Sequence, residues 1–155
     1  MRIGVNTRFL LNGKLEGIGW FTYETMRRII KAHPEHDFVF FFDRPFDRQF
    51  VFEDNVKPVV VYPPARAPFL WKLWFDNTLP YYLKKHKIDA FISPDGYCSL
   101  NTVIPQLMVL HDLAFEHGIF GLPEKVMNFY KTRVPQFVEK AKRIVTVSNF
   151  SKQDI

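Results

Sequence analysis

One cysteine, Cys98, stands in a chain of 155 residues. A lone thiol excludes an internal disulfide framework and a cysteine-built metal centre, and it points to a reducing compartment. Long apolar runs are missing as well. Nothing approaches the roughly 18 consecutive apolar residues that a membrane-spanning helix requires. Met1-Arg2 leads directly into the strand-like Ile3-Gly4-Val5, without the apolar core of a signal peptide. These absences predict a cytoplasmic chain, soluble or peripheral to a membrane. Internal repeats and low-complexity segments are also lacking.

Aromatic residues are in excess, at 17% of the chain and carried mainly by 17 Phe. Such side chains bury large areas and also populate interfaces, so the surplus predicts a surface awaiting a partner. The net charge of +5 and a pI near 9.4 suit anionic partners such as nucleotide sugars, phospholipid surfaces or nucleic acid. Nucleic acid is set aside, because the basic residues are scattered among expected helix ends and form no recognisable module. The length suits one domain with a full core.

Periodicity predicts alternating strands and helices. Strands are expected over 2–6, 38–42, 59–62, 88–93, 107–110 and 144–147, each short and apolar. A helix is expected from Trp20 to the stop at Pro34, another over 69–87 that Pro80 kinks or divides, and a long one from Pro123 bent at Pro135. Loops fill 43–55, 63–68 and 114–122. Ser148-Asn149 should cap a last helix that the chain only begins, which predicts a longer protein. This alternation specifies a doubly wound α/β fold, a mainly parallel sheet of six or seven strands in one domain spanning 1–155. Strands one, four, five and six are expected near its centre, with two and three towards one edge.

Candidate site residues cluster where strands give way to loops. His111 and Asp112 follow the fifth strand, and a histidine there can exchange a proton near neutral pH while a charged neighbour orients it. Asp95 follows the fourth strand on the same rim, with Asn6 and Ser148 beside it. Asp95 either forms the Pro94-Asp95-Gly96 turn or meets a ligand. Glu16-Gly17-Ile18-Gly19 precedes the first helix, where glycines either shape a turn or let an anion reach free N–H groups. The loop is too long for a dinucleotide fingerprint and lacks the Gly-Lys-Ser/Thr of a P-loop. His117 lies near the rim, whereas His33, His36 and His86 read as surface histidines. The aromatic segment over 69–87, with Lys84, Lys85 and Lys87 at its end, suits either a core helix or a membrane interface.

Four segments, taken in order, resemble a known family. They are Glu16-Gly17-Ile18-Gly19 before an aromatic-led helix; Ile88-Asp89 with Ser93-Pro94-Asp95; Val109-Leu110-His111-Asp112-Leu113-Ala114-Phe115; and Ala141 through Ser151, Ala-Lys-Arg-Ile-Val-Thr-Val-Ser-Asn-Phe-Ser. Together they are similar to the N-terminal domain of group 1 (family 4) glycosyltransferases of GT-B architecture. The resemblance implies retaining transfer of a sugar from a nucleotide-sugar donor to a glycan or lipid-linked acceptor, with no obligatory metal and no cofactor. It implies that Gly17 and Gly19 approach the donor diphosphate, and that His111 stands near the reacting sugar with Asp112 supporting its loop. Asp95 and His117 would meet acceptor or sugar. It also implies a C-terminal donor-binding domain that this chain does not contain, so the chain alone is expected to be inactive. The alternative from composition and fold alone is a non-catalytic, flavodoxin-like module that docks on a protein or membrane.

Overall fold

The run Phe38–Phe42 lies in β2 (Asp37–Phe42), and its side chains divide between two buried layers. Phe38, Phe40 and Phe42 join Met26 and Ile30 on one side, while Val39 and Phe41 join Trp74, Leu79 and Phe91 on the other. Alternate residues of a strand face opposite ways, so a strand apolar at every position must be covered twice. All five are at most 2% exposed, and each such burial stabilises by about 1.5–3 kcal/mol. The structure is a computed structural model describing residues 1–117, 121 and 123–155. Of the loop expected over 114–122, residues 118–120 and 122 lie outside the described residues.

Around β2 runs a six-stranded, wholly parallel sheet with the order β3-β2-β1-β4-β5-β6. The other strands are β1 (Arg2–Asn6), β3 (Val56–Val60), β4 (Ala90–Ser93), β5 (Gln106–Val109) and β6 (Arg143–Val145). The doubly wound α/β expectation therefore holds, with two corrections. The sixth strand is not central: β6 pairs only with β5 among the described residues, and all three of its residues are exposed. Strand three begins earlier than its apolar stretch suggests, because Lys57 and Pro58 belong to it. An edge strand tolerates both, since one of its sides has no ladder to complete.

Helix α1 (Gly17–Ala32) buries Gly19, Thr22, Met26 and Ile30, a stripe at three- and four-residue spacing. It starts three residues before the expected Trp20, which itself faces solvent. The aromatic segment forms α2 (Pro68–Leu73), a π-helical turn (Trp74–Thr78) and α3 (Leu79–Lys85) rather than one kinked helix. The cause is Pro80. Its ring nitrogen has no hydrogen, so the Asp76 carbonyl four residues back loses its usual helical donor. Asn101 Nδ2 donates to that carbonyl at 2.9 Å, and the N–H of Leu79 reaches five residues back to Trp74. Trp74, Phe75, Leu79 and Leu83 are core residues, so most of this segment packs on the sheet.

Helix α4 (Glu124–Lys140) runs unbroken through Pro135, and Pro123 stands at its N-cap, one place before the expected first turn. Val134 and Phe137 bind it to the core, and Arg133 donates to the buried Asp76 carboxylate. Helix α5 (Asn149–Asp154) opens as expected on Ser148, whose hydroxyl accepts from the N–H of Ser151 at 3.0 Å. No helix among the described residues is long and apolar enough to cross a membrane.

Candidate active site

The strand order reverses between β1 and β4. The chain first builds outwards through β2 and β3, then crosses to β4 and builds the other way. Loops leaving the carboxyl ends of β1, β4 and β5 therefore diverge around one crevice, the place where open α/β sheets hold ligands.

A hydrogen-bond network braces this rim. Asn6 Nδ2 donates to Ser93 Oγ at 3.2 Å, and Ser93 Oγ donates to Asp95 Oδ1 at 3.0 Å. Arg8 Nε donates to Asp95 Oδ2 at 2.5 Å, and both side chains are almost wholly buried. Burial, the largest single cause, lowers the Arg8 pKa, but Asp95 and Tyr97 together outweigh it and leave the pKa raised. The guanidinium also lies over the ring of Tyr97, 4.3 Å from its centroid. Asp95 thus stands on the crevice wall with its carboxylate already engaged. Gly96 follows with φ +77°, a conformation that favours glycine, and it turns the chain so that Tyr97 packs inward.

A cavity of about 270 Å³ opens beside this network, lined among others by Ile18, Asp95, Tyr97, His111, Phe115 and Tyr130. His111 is fixed from two directions. Its Nε2 lies 2.7 Å from the carbonyl oxygen of Pro94, and Phe21 of α1 packs edge-on against the ring at 5.0 Å. A carbonyl only accepts, so Nε2 carries a proton and the neutral ring keeps Nδ1 as its acceptor. Asp112 Oδ1 accepts from the N–H of Ala114 at 3.0 Å, which shapes the loop after β5. Tyr97 is buried, yet its hydroxyl has no hydrogen-bond partner among the described residues. Burial, the largest cause, drives its phenol far above the ordinary value, so it stays a neutral donor.

The two glycines divide in their roles. Gly17 is exposed at the first position of α1, with open space where a Cβ would stand. Glu16 provides no side-chain cap and the first turn holds no acid, so the helix end keeps its positive character. Gly19 is buried, and a Cβ there would stand 2.7 Å from the carbonyl oxygen of Phe9. Packing alone requires glycine at that position. His117 lies outside the cavity, its Nε2 2.9 Å from the Asp154 carboxylate of α5.

Among the described residues, one group of His, Cys, Asp and Glu could share a metal ion. His33, Glu35 and His36 hold their ligand atoms within 4.8 Å of one another. They sit between α1 and the start of β2, on the opposite rim of the sheet from His111.

The structure brings Asp95, His111, Asp112 and the turn bearing Gly17 to one rim, as the sequence predicts, and leaves His117 beside it. Sequence reasoning misses Arg8, Tyr97 and Tyr130. Arg8 carries a faint signal, as a cation two residues past a strand end; the tyrosines carry none apart from the aromatic surplus.

A family model described as Glycosyltransferase Family 4 matches residues 15–155. No curated protein matches the chain.

Proposed function

Because this chain belongs to Glycosyltransferase Family 4, we propose that it is the acceptor-side domain of a retaining enzyme that moves a sugar from a nucleotide-sugar donor to a glycan or lipid-linked acceptor. The observation that carries the reading is the imidazole of His111. It is locked by Pro94 and Phe21 in a cavity whose other wall begins at Ile18, beside the open Gly17.

Departure of a nucleoside diphosphate develops negative charge, which the uncapped N-terminus of α1 stabilises once the diphosphate meets the N–H groups at Gly17. His111 contacts a hydroxyl of the transferred sugar through Nδ1, holding the ring as positive character grows at its anomeric carbon. Tyr97 supplies a neutral O–H donor. Asp112 acts through the loop it shapes. A second domain grips the donor nucleotide, so this chain alone is inactive. The resemblance adds that transfer needs no obligatory metal, proceeds in the cytoplasm and builds a polysaccharide or glycolipid.

His111→Ala in the full-length enzyme tests the reading. Transfer should fall by about 10²–10³-fold, the usual range for a lost hydrogen bond that stabilises the transition state, while donor affinity changes little. Unchanged turnover would remove His111 from the chemistry.

Contact with a membrane surface belongs to the same proposal. Phe69 is 72% exposed and Tyr81 62%, with Leu73 also on the surface beside the exposed Lys72, Lys84 and Lys85. Exposed rings with neighbouring cations suit an anionic lipid interface. Replacing Lys84, Lys85 and Lys87 by Glu should weaken sedimentation with phosphatidylserine vesicles, and equal sedimentation would discard the contact.

A further inference from the structure

A second pocket, of about 240 Å³, lies against the first and shares Tyr97 and Tyr130 with it. Its other walls include Arg8, Arg44, Arg66 and Trp71, and no acidic residue lines it among the described residues. We infer that this pocket holds the anionic group of a charged saccharide, so that the acceptor is a sugar bearing a carboxylate or a phosphate. The inference rests on the acceptor-side reading above.

Charge placement is the first argument. Arg8 is balanced by Asp95, and Arg44 grips Asp43 through Nε at 2.6 Å and a terminal nitrogen at 2.7 Å. Both carboxylates are buried, Asp43 completely, and Asp43 also accepts from the N–H of Ala65 at 2.9 Å. The acids therefore stand behind the arginines rather than in the pocket. Arg44 retains the N–H donors that Asp43 does not use, since a guanidinium carries five. Arg66 is exposed and makes no ion pair among the described residues. Two guanidinium charges are thus compensated from behind and one is not. A single carboxylate or phosphate completes the balance, and guanidinium forks recognise either in a bidentate manner.

The aromatic wall argues for a sugar rather than a bare anion. The indole N–H of Trp71 is already donated to the Ala65 carbonyl at 2.8 Å, so its ring, not its polar edge, serves the pocket. Trp71 and Tyr130, whose rings stack at 6.2 Å and 27°, both line the pocket and give it an aromatic wall for the C–H face of a pyranose. The volume is below the roughly 300–1,000 Å³ of pockets for larger ligands, as one sugar ring requires. A ring held there abuts the cavity of His111 across Tyr97 and Tyr130.

The test follows the Trp71 indole N–H of the full chain by NMR, with the resonance assigned from Trp71→Phe. The titrants are glucuronate, glucose 6-phosphate, glucose and inorganic phosphate. The charged sugars should bind at least about tenfold tighter than glucose, a difference of about 1.4 kcal/mol. The tighter of the two identifies carboxylate or phosphate. Arg66→Ala should abolish the preference and Arg66→Lys should keep part of it; Arg66 is on the surface, so neither change threatens the fold. Equal affinity for glucose and both charged sugars would overturn the inference, as would no shift with either charged sugar. Inorganic phosphate binding as tightly as glucose 6-phosphate would overturn it too. Charged-sugar binding without transfer by the full-length protein would refute the acceptor-side reading alone. Transfer at equal rates to neutral and charged acceptors would refute this inference alone.

Discussion

The two hollows on the carboxyl rim share a wall of Tyr97 and Tyr130 and differ in almost everything else. One presents a single imidazole, held rigidly among apolar side chains, beside an uncapped helix end. The other presents three arginines around an indole face, with acids set behind Arg8 and Arg44 but not behind Arg66. A fixed imidazole suits the making and breaking of bonds, whereas a cluster of guanidinium groups suits recognition. One aromatic partition therefore separates two kinds of work.

The sharpest way to break that division is at Asp95, because it stands on the wall of the first hollow and anchors Arg8 of the second. Asp95→Ala leaves Arg8 buried without its partner, which should cost about 3–5 kcal/mol. Urea unfolding measures it, and a loss below about 1 kcal/mol would mean that the pair does not organise the rim. Next in size is a change at the start of α1, beside Ile18 of the first hollow. Gly19→Ala forces a methyl group against the Phe9 backbone and should destabilise by roughly 1–3 kcal/mol. Gly17→Ala meets nothing and should leave the melting temperature unchanged while weakening donor binding. Equal effects of the two substitutions on stability would erase the distinction between a packing glycine and an approach glycine.

Tyr97→Phe acts on the partition itself. Removing a buried hydroxyl that has no partner should raise stability by roughly 1 kcal/mol, while transfer falls if the hydroxyl serves the first hollow. Lower stability would mean the hydroxyl is already satisfied in the fold. The smallest effect concerns Cys98, buried just behind this wall. Burial, the main cause, pushes its thiol from 9.0 up to about 12. With a folded pKa above the unfolded one, the thiol's contribution to stability is complete below pH 9 and is lost as pH rises towards 12. At pH 8 the thiolate fraction should be on the order of 10³ lower in the folded chain than in urea. Alkylation by iodoacetamide measures this, and equal rates in both states would place the thiol in solvent.

Much of the fold was legible because buried strands announce themselves. Phe38–Phe42 is apolar at every position and turned out covered on both faces. Legibility failed where local chemistry and tertiary position disagree. Gly17 and Gly19 read as part of the connection before the helix, yet a first turn tolerates them and α1 starts at Gly17. Lys57 and Pro58 lie outside the apolar stretch that marks the third strand, yet the edge of a sheet accepts both. At the site, the rim positions of Asp95 and His111 follow from strand ends alone. The pairing of Arg8 with Asp95 does not, since 87 residues separate them and no spacing rule links them. The arginine pocket was hidden for the same reason. Its walls come from the loops after β1, β2, β3 and β4 and from two helices, and only the fold assembles them.

The amide that Asn101 lends to the Asp76 carbonyl ties two distant positions into one choice. With proline at 80, Asn101→Ala strips that carbonyl of a donor and is costly. With alanine at 80, a main-chain N–H can return, and the same asparagine becomes nearly dispensable. The two substitutions should therefore be strongly non-additive, and relatives of this chain that lack the proline should be free to drop the asparagine as well.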